Sequence, residues 1–145
     1  MKKFKYSLDA VLKWKRSQEE ASLRVLGEAM RARQLAFDTL QAGRRHMGEL
    51  LKTVRDAREI PSQNWAQLQV VYGREIVRQQ GVCKGYEESL KKAVFEEERA
   101  RDAYLIKRKE AETIEKLGEK RKFLHNQQIN RAIEQELEEI VLSKR

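Results

Sequence analysis

The chain has 145 residues, with 31 Lys and Arg against 23 Asp and Glu for a net charge of +8, and 37% of its residues are charged while 7% are aromatic. A composition so rich in helix-forming charged residues, with a single proline, excludes a thick aromatic core and suits long helices and coiled coils. No window approaches the roughly eighteen uninterrupted apolar residues of a membrane span, and the positive balance favours an acidic protein surface, anionic lipid or nucleic acid as partner.

The opening Met1-Lys2-Lys3-Phe4-Lys5-Tyr6 is basic but leads into an amphipathic segment, which does not fit a cleavable signal peptide. Ser7 is placed to cap a first helix, Asp9 suits its positive end, and Tyr6 could pack on Val11 as a hydrophobic staple. Leu8, Val11 and Leu12 begin the apolar face. From Leu23 a heptad register follows through Leu26, Met30, Arg33, Phe37, Leu40, Arg44, Met47, Leu51 and Val54. Its alternating spacings of about three and four residues describe a coiled-coil seam.

Arg58-Glu59-Ile60-Pro61-Ser62-Gln63-Asn64-Trp65 interrupts this pattern. Pro61 lacks the backbone donor of a helix interior and holds Ile60 extended, while Ser62 or Asn64 could cap a second helix, Asn64 with Gln67 as a capping box. The second seam reads Tyr72, Ile76, Gln79, Cys83, Tyr86, Leu90, Ala93, Glu97, Ala100, Tyr104, Lys107, Ala111 and Ile114. Gly73, Gly81 and Gly85 each cost about 1 kcal/mol relative to alanine and mark either a softer stretch or a close helix approach.

The expected fold is therefore all-α: one coiled-coil domain over 1–145, an antiparallel two-helix hairpin with a longer second helix. The first helix is expected over 7–58, the bend over 59–64 and the second helix over 64–142. At about 1.5 Å per residue the helices would be roughly 75 and 120 Å long, and residues would pair with numbers summing to about 122. That register sets Lys13, Lys15 and Arg16 opposite Lys107, Arg108 and Lys109, with Lys116, Lys120, Arg121 and Lys122 continuing a basic belt. Some thirty residues beyond Ile114 would overhang, still carrying Leu117, Leu124, Ile129, Ile133, Leu137 and Ile140. Such an amphipathic helix either frays or finds a partner, and partner binding is the preferred reading. The tail turns acidic at Glu134, Glu136, Glu138 and Glu139.

No catalytic constellation is legible. His46 and His125 lie far apart without a metal-ligand neighbour at helical spacing. Cys83 occupies a seam position suited to an inert thiol; being the sole cysteine it has no internal disulfide partner, which fits a reducing compartment. Gly43 and Gly48 are not followed by the residues of a phosphate-binding loop. The chain reads as a non-enzyme with no cofactor and no metal.

Phe4-Lys5-Tyr6-Ser7-Leu8-Asp9-Ala10-Val11-Leu12 resembles the start of FliJ-family flagellar export proteins, which open on an aromatic-x-aromatic-x-Leu-x-x-Val-Leu run. Ser62-x-x-Trp65 is similar to the start of the second helix in some members. Lys107 to Glu112 and Glu115 to Arg121 resemble the family's basic-acidic stretch. Glu136-Leu137-Glu138-Glu139-Ile140 resembles its closing box, with Glu138 where aspartate is common.

The resemblance implies an antiparallel coiled coil like the central stalk of rotary ATPases. Such a protein acts in flagellum biogenesis, motility and chemotaxis, within the flagellar type III secretion route for protein transport. Its implied partners are a hexameric export ATPase, an export-gate membrane protein and export chaperones. The implied location is cytoplasmic, peripherally associated with the inner membrane at the flagellar base. Residues mapped to the ATPase ring are Leu8, Val11, Leu12, Lys15 and Arg16, with Lys120, Arg121, Leu124, Ile133, Leu137 and Ile140. Those mapped to the gate are Val71, Tyr72, Ile76 and Gln79.

The free chain is expected to be a monomer. Two other classes remain open, a generic dimerising scaffold and a basic nucleic-acid-binding coiled coil. Glu110, Glu112, Glu115 and Glu119 interrupt the basic run, and no aromatic platform interleaves with it, so nucleic acid is not expected.

Overall fold

The computed structural model describes residues 3–60 and 64–144. It is all-helical over the described residues, with α1 spanning Asp9–Glu59 and α2 spanning Trp65–Ser143. The two helices pack against each other, and α2 is longer, 79 residues against 51. Pro61 and Ser62, the expected breaker and cap, lie outside the described residues. On either side of them Ile60 leaves the helix, and the Leu68 amide donates to the Asn64 carbonyl at 2.9 Å to open α2.

The start of α1 differs from expectation. The Asp9 amide donates to the Tyr6 carbonyl at 3.1 Å, forming a turn before the helix, and Asp9 itself sits in the first turn. Ser7 does not cap the helix; its hydroxyl accepts a hydrogen bond from Arg121 on α2 at 3.2 Å. Tyr6 does not staple to Val11, which is exposed, because its ring lies against α2 instead.

The chain forms two compact units, Met1–Arg24 with Asp102–Arg145, and Val25–Arg101, and each helix contributes a segment to both. In the second unit the protected face of α1 runs through Leu26, Ala29, Arg33, Ala36, Leu40, Gly43, Met47, Leu50, Val54 and Ala57. Four of the nine expected seam positions from Leu26 to Val54 are thus displaced by one residue. Leu26, Arg33, Leu40, Met47 and Val54 hold their places, but Ala29, Ala36, Gly43 and Leu50 replace Met30, Phe37, Arg44 and Leu51, which are exposed. At the first three of these positions bulk pointed to the wrong neighbour. Small residues let the helices approach: a Cβ added at Gly43 would stand 3.0 Å from Tyr86 Cδ2 and 3.4 Å from Cys83 Sγ.

On α2 every expected seam residue from Tyr72 to Ile114 is buried or half-buried. Within the second unit, Arg33 on α1 pairs with Glu97, which also accepts from Arg101 at 3.1 Å, and Arg44 reaches Glu87 at 3.4 Å. These partners lie farther along α2 than the expected register, which places Arg33 near Ser89 and Arg44 near Arg78. The seating of Tyr86 on Gly43 and the Arg–Glu pairs set the register, not symmetry about the bend.

The same close approach decides what the glycines of α2 do. Nothing lies within 4 Å of a Cβ built at Gly73, Gly81 or Gly85, so none of them is a site of helix contact. Gly81→Ala and Gly85→Ala should each raise the urea midpoint, by about 1 kcal/mol in unfolding free energy, by restricting the unfolded chain and improving helix propensity. Gly43→Ala carries the same propensity gain but must displace the Tyr86 ring, so its midpoint should fall below that of both α2 variants.

Candidate partner-binding site

The first unit holds every residue mapped to the ATPase-facing end. Leu8, just ahead of α1, and Leu12, Lys15, Glu19 and Ser22 within it fall at heptad spacing, all half-buried, and its α2 segment presents Tyr104, Lys107, Ala111 and Ile114. Ala111 is fully covered.

Ahead of α1 the chain lies along α2. The Tyr6 hydroxyl donates to the Ile114 carbonyl at 2.9 Å, and the tyrosine ring covers Gly118, where a Cβ would stand 2.9 Å from Cε1. The Arg121 guanidinium stands over that ring at 5.8 Å from its centroid while also donating to Ser7. Phe4 stacks near Tyr6, 6.4 Å between centroids, and reaches His125 at 5.5 Å. Glycine at 118 is what admits the tyrosine. Among the described residues, those before α1 thus accompany α2 as far as His125, well past Ile114. An open groove of about 690 Å³ follows this segment, lined by Phe4, Tyr6, Leu12, Glu115, Glu119 and Lys122 among others.

The charges at this site are arranged differently from the expected basic collar. Lys15 donates to Glu110 at 2.9 Å, and Arg16 bridges Glu19 at 2.7 Å and Glu115 across the interface. Lys107 also lies 3.9 Å from Glu110, and Arg108 is held by Glu112 at 3.0 Å. Lys15 and Arg16 therefore face carboxylates on α2, not a second row of cations. The hydrogen bond from Lys15 lowers the Glu110 carboxyl below its ordinary 4.5.

A group whose pKa falls on folding contributes stability above its unfolded value and loses it as pH drops through the folded one. Glu110→Gln should accordingly lower the urea midpoint at neutral pH. The difference from wild type should close as the pH is taken down from 4.5, the ordinary value. A pH-independent difference between the two proteins would mean that the Lys15 pair is not its source.

The remaining mapped residues divide by exposure. Lys120, Leu124, Leu137 and Ile140 are exposed, Arg121 is occupied by Tyr6 and Ser7, and Ile133 is half-buried. Past His125 the helix carries exposed Leu137, Ile140, Val141 and Leu142 beside Glu136, Glu138 and Glu139. Phe4, Tyr6, Gly118 and His125 were not among the mapped residues. The aromatic pair two residues apart, immediately before a helix, was the available signal.

In the second unit the residues mapped to the gate are mostly packed. Tyr72 and Ile76 are half-buried and Gln79 is buried, its amide donating to Glu75 at 3.3 Å, while Val71 is exposed. Arg78 and, after it, Gln79 hold the Glu75 carboxyl down to about 2. Cys83 is half-buried against Gly43. Among the described residues no group of three or more His, Cys, Asp or Glu is arranged to hold a metal, and no helix is long and apolar enough to cross a membrane.

No protein-family model, curated protein or solved structure matches this chain.

Proposed function

We propose that the two helices form an antiparallel coiled coil that serves as a FliJ-like stalk of flagellar protein export. In this reading the first unit binds the hexameric export ATPase, promotes its assembly and activity, and couples it to the export gate and chaperones at the cytoplasmic face of the inner membrane. The observation that carries the reading is the first unit itself. Phe4 to Ser7 are fastened along Ile114 to His125, and farther along α2 the apolar residues Leu137, Ile140 and Leu142 are exposed. An exposed amphipathic stretch beyond an anchored one is a surface suited to a hydrophobic groove on a partner. Val71 is the mapped gate residue that is free to make a contact without disturbing the packing.

Truncation after Leu124 removes that stretch while leaving the Tyr6–Ile114 and Tyr6–Gly118 contacts. The shortened chain should lose most of its stimulation of the cognate ring ATPase and of its promotion of hexamers, with its helicity per residue preserved by circular dichroism. Equal stimulation by the truncated and full chains would place ring binding elsewhere.

A further inference from the structure

In sequence the basic stretch of α2 is broken by Glu110, Glu112, Glu115 and Glu119. In the fold three of these carboxylates are paired with cations, and the fourth lines the groove. Glu110 and Glu115 face Lys15 and Arg16 of α1, Glu112 holds Arg108, and Glu119 lines the groove beside Tyr6 and Leu12. What they leave is a line along α2 at spacings of three and four residues: Ile106, Lys109, Thr113, Lys116, Lys120 and Phe123.

Every member of this line is exposed, and Ala111 and Ile114, which pack toward α1, lie on the opposite side of the helix. Lys109, Lys116 and Lys120 have no carboxylate within ion-pair distance among the described residues. Ile106 is 57% and Phe123 62% exposed at either end of the row of lysines. The stretch covers roughly 26 Å of helix, at about 1.5 Å per residue.

We propose that this outer face of α2 is a docking surface for an anionic membrane. Lysines are attracted to acidic headgroups, and an aromatic and an aliphatic side chain on the same helical face enter the interface beneath them. A nucleic acid or an acidic peptide would satisfy the lysines but leaves exposed Ile106 and Phe123 unexplained. The face shares Lys120 with the residues mapped to the ATPase, whereas Lys109, Lys116, Ile106 and Phe123 lie outside that mapping, and vesicle binding is read without the ATPase.

The test is co-sedimentation of the full chain with vesicles of phosphatidylcholine, alone or with about 30% phosphatidylglycerol, the anionic lipid supplying the surface potential. Binding is expected to the mixed vesicles and not to the neutral ones. Lys109→Gln, Lys116→Gln and Lys120→Gln should each weaken it about fivefold, and roughly a hundredfold together. Ile106→Ser with Phe123→Ser should weaken it several-fold further and remove the part of the binding that survives salt. All five residues are exposed, so circular dichroism should show unchanged helicity in every variant.

Absence of binding to the mixed vesicles, or full binding by the triple lysine variant, would overturn the proposal. So would binding to a DNA duplex that depends on the lysines, accompanied by vesicle binding that is indifferent to Ile106 and Phe123. That pattern would assign the face to phosphate charge alone.

Discussion

Leu40→Ala should lower the unfolding free energy by about 3 kcal/mol, measured by urea titration followed by circular dichroism. Leu40 is 2% exposed, the most covered large side chain in the second unit, and it lies between Ala36 and Gly43 on the protected face of α1. Truncation there removes buried apolar area and leaves a void that two helices already in contact cannot readily collapse into. The neighbouring control is Leu35→Ala. Leu35 is 69% exposed, so the same change should alter stability by less than about 0.5 kcal/mol. Equal losses at the two positions would show that the packed face of α1 is not the one described.

Glu97→Ala should cost about 2 to 3 kcal/mol, toward the lower end of what is lost when one partner of a buried ion pair is removed. Glu97 is buried between Arg33 on the facing helix and Arg101 one turn along its own. Removing the carboxylate sets two guanidinium groups beside the interface without an acceptor. Arg33 is partly exposed and can turn toward water, which is why the full penalty for a stranded charge is not expected.

The double replacement Arg33→Leu with Glu97→Leu removes the desolvation cost together with the pair, and should restore most or all of the lost stability. Its consequence should appear in specificity. With leucine at both positions the interface loses the polar match that distinguishes this register from neighbouring ones, so sedimentation should reveal dimers or mixed states in place of one species. A double variant as destabilised as Glu97→Ala would mean that the packing there cannot accept apolar side chains.

The three residues that most clearly separate what was legible from what was not are Ala29, Ala36 and Gly43. Periodicity in the sequence singled out large side chains, and Met30, Phe37 and Arg44 fit a heptad as well as the small residues one place before each of them. Hydrophobic pattern reports which residues prefer to leave water, but not how closely two backbones can approach. When approach is close, alanine and glycine take the interface and bulkier neighbours are moved to its edge. On α2 the expected line is the protected one from Tyr72 to Ile114, its polar members Gln79, Glu97 and Lys107 included.

The candidate site divides in the same way. Uncovered apolar residues at Leu137 and Ile140 could be found from the excess length of the second helix over the first. The fastening of Tyr6 on Gly118 could not, because a glycine more than a hundred residues distant from a tyrosine gives no local sign of its partner.

The sequence by itself determined that the chain forms two long helices, where each begins and ends to within a few residues, and which line of α2 is buried. Those properties follow from local propensity, from the break at 59–64 and from a repeat that only a helix can turn into one face. Only the tertiary structure decided the register between the helices, the choice of the small-residue face on α1, and the direction in which each charge points. Those depend on shape and on ion pairs between residues distant in the chain. Glu110, Glu112 and Glu115 carry the point: as letters they interrupt a basic run, and in the fold they pair with Lys15, Arg108 and Arg16 and leave Lys109, Lys116 and Lys120 on one exposed face.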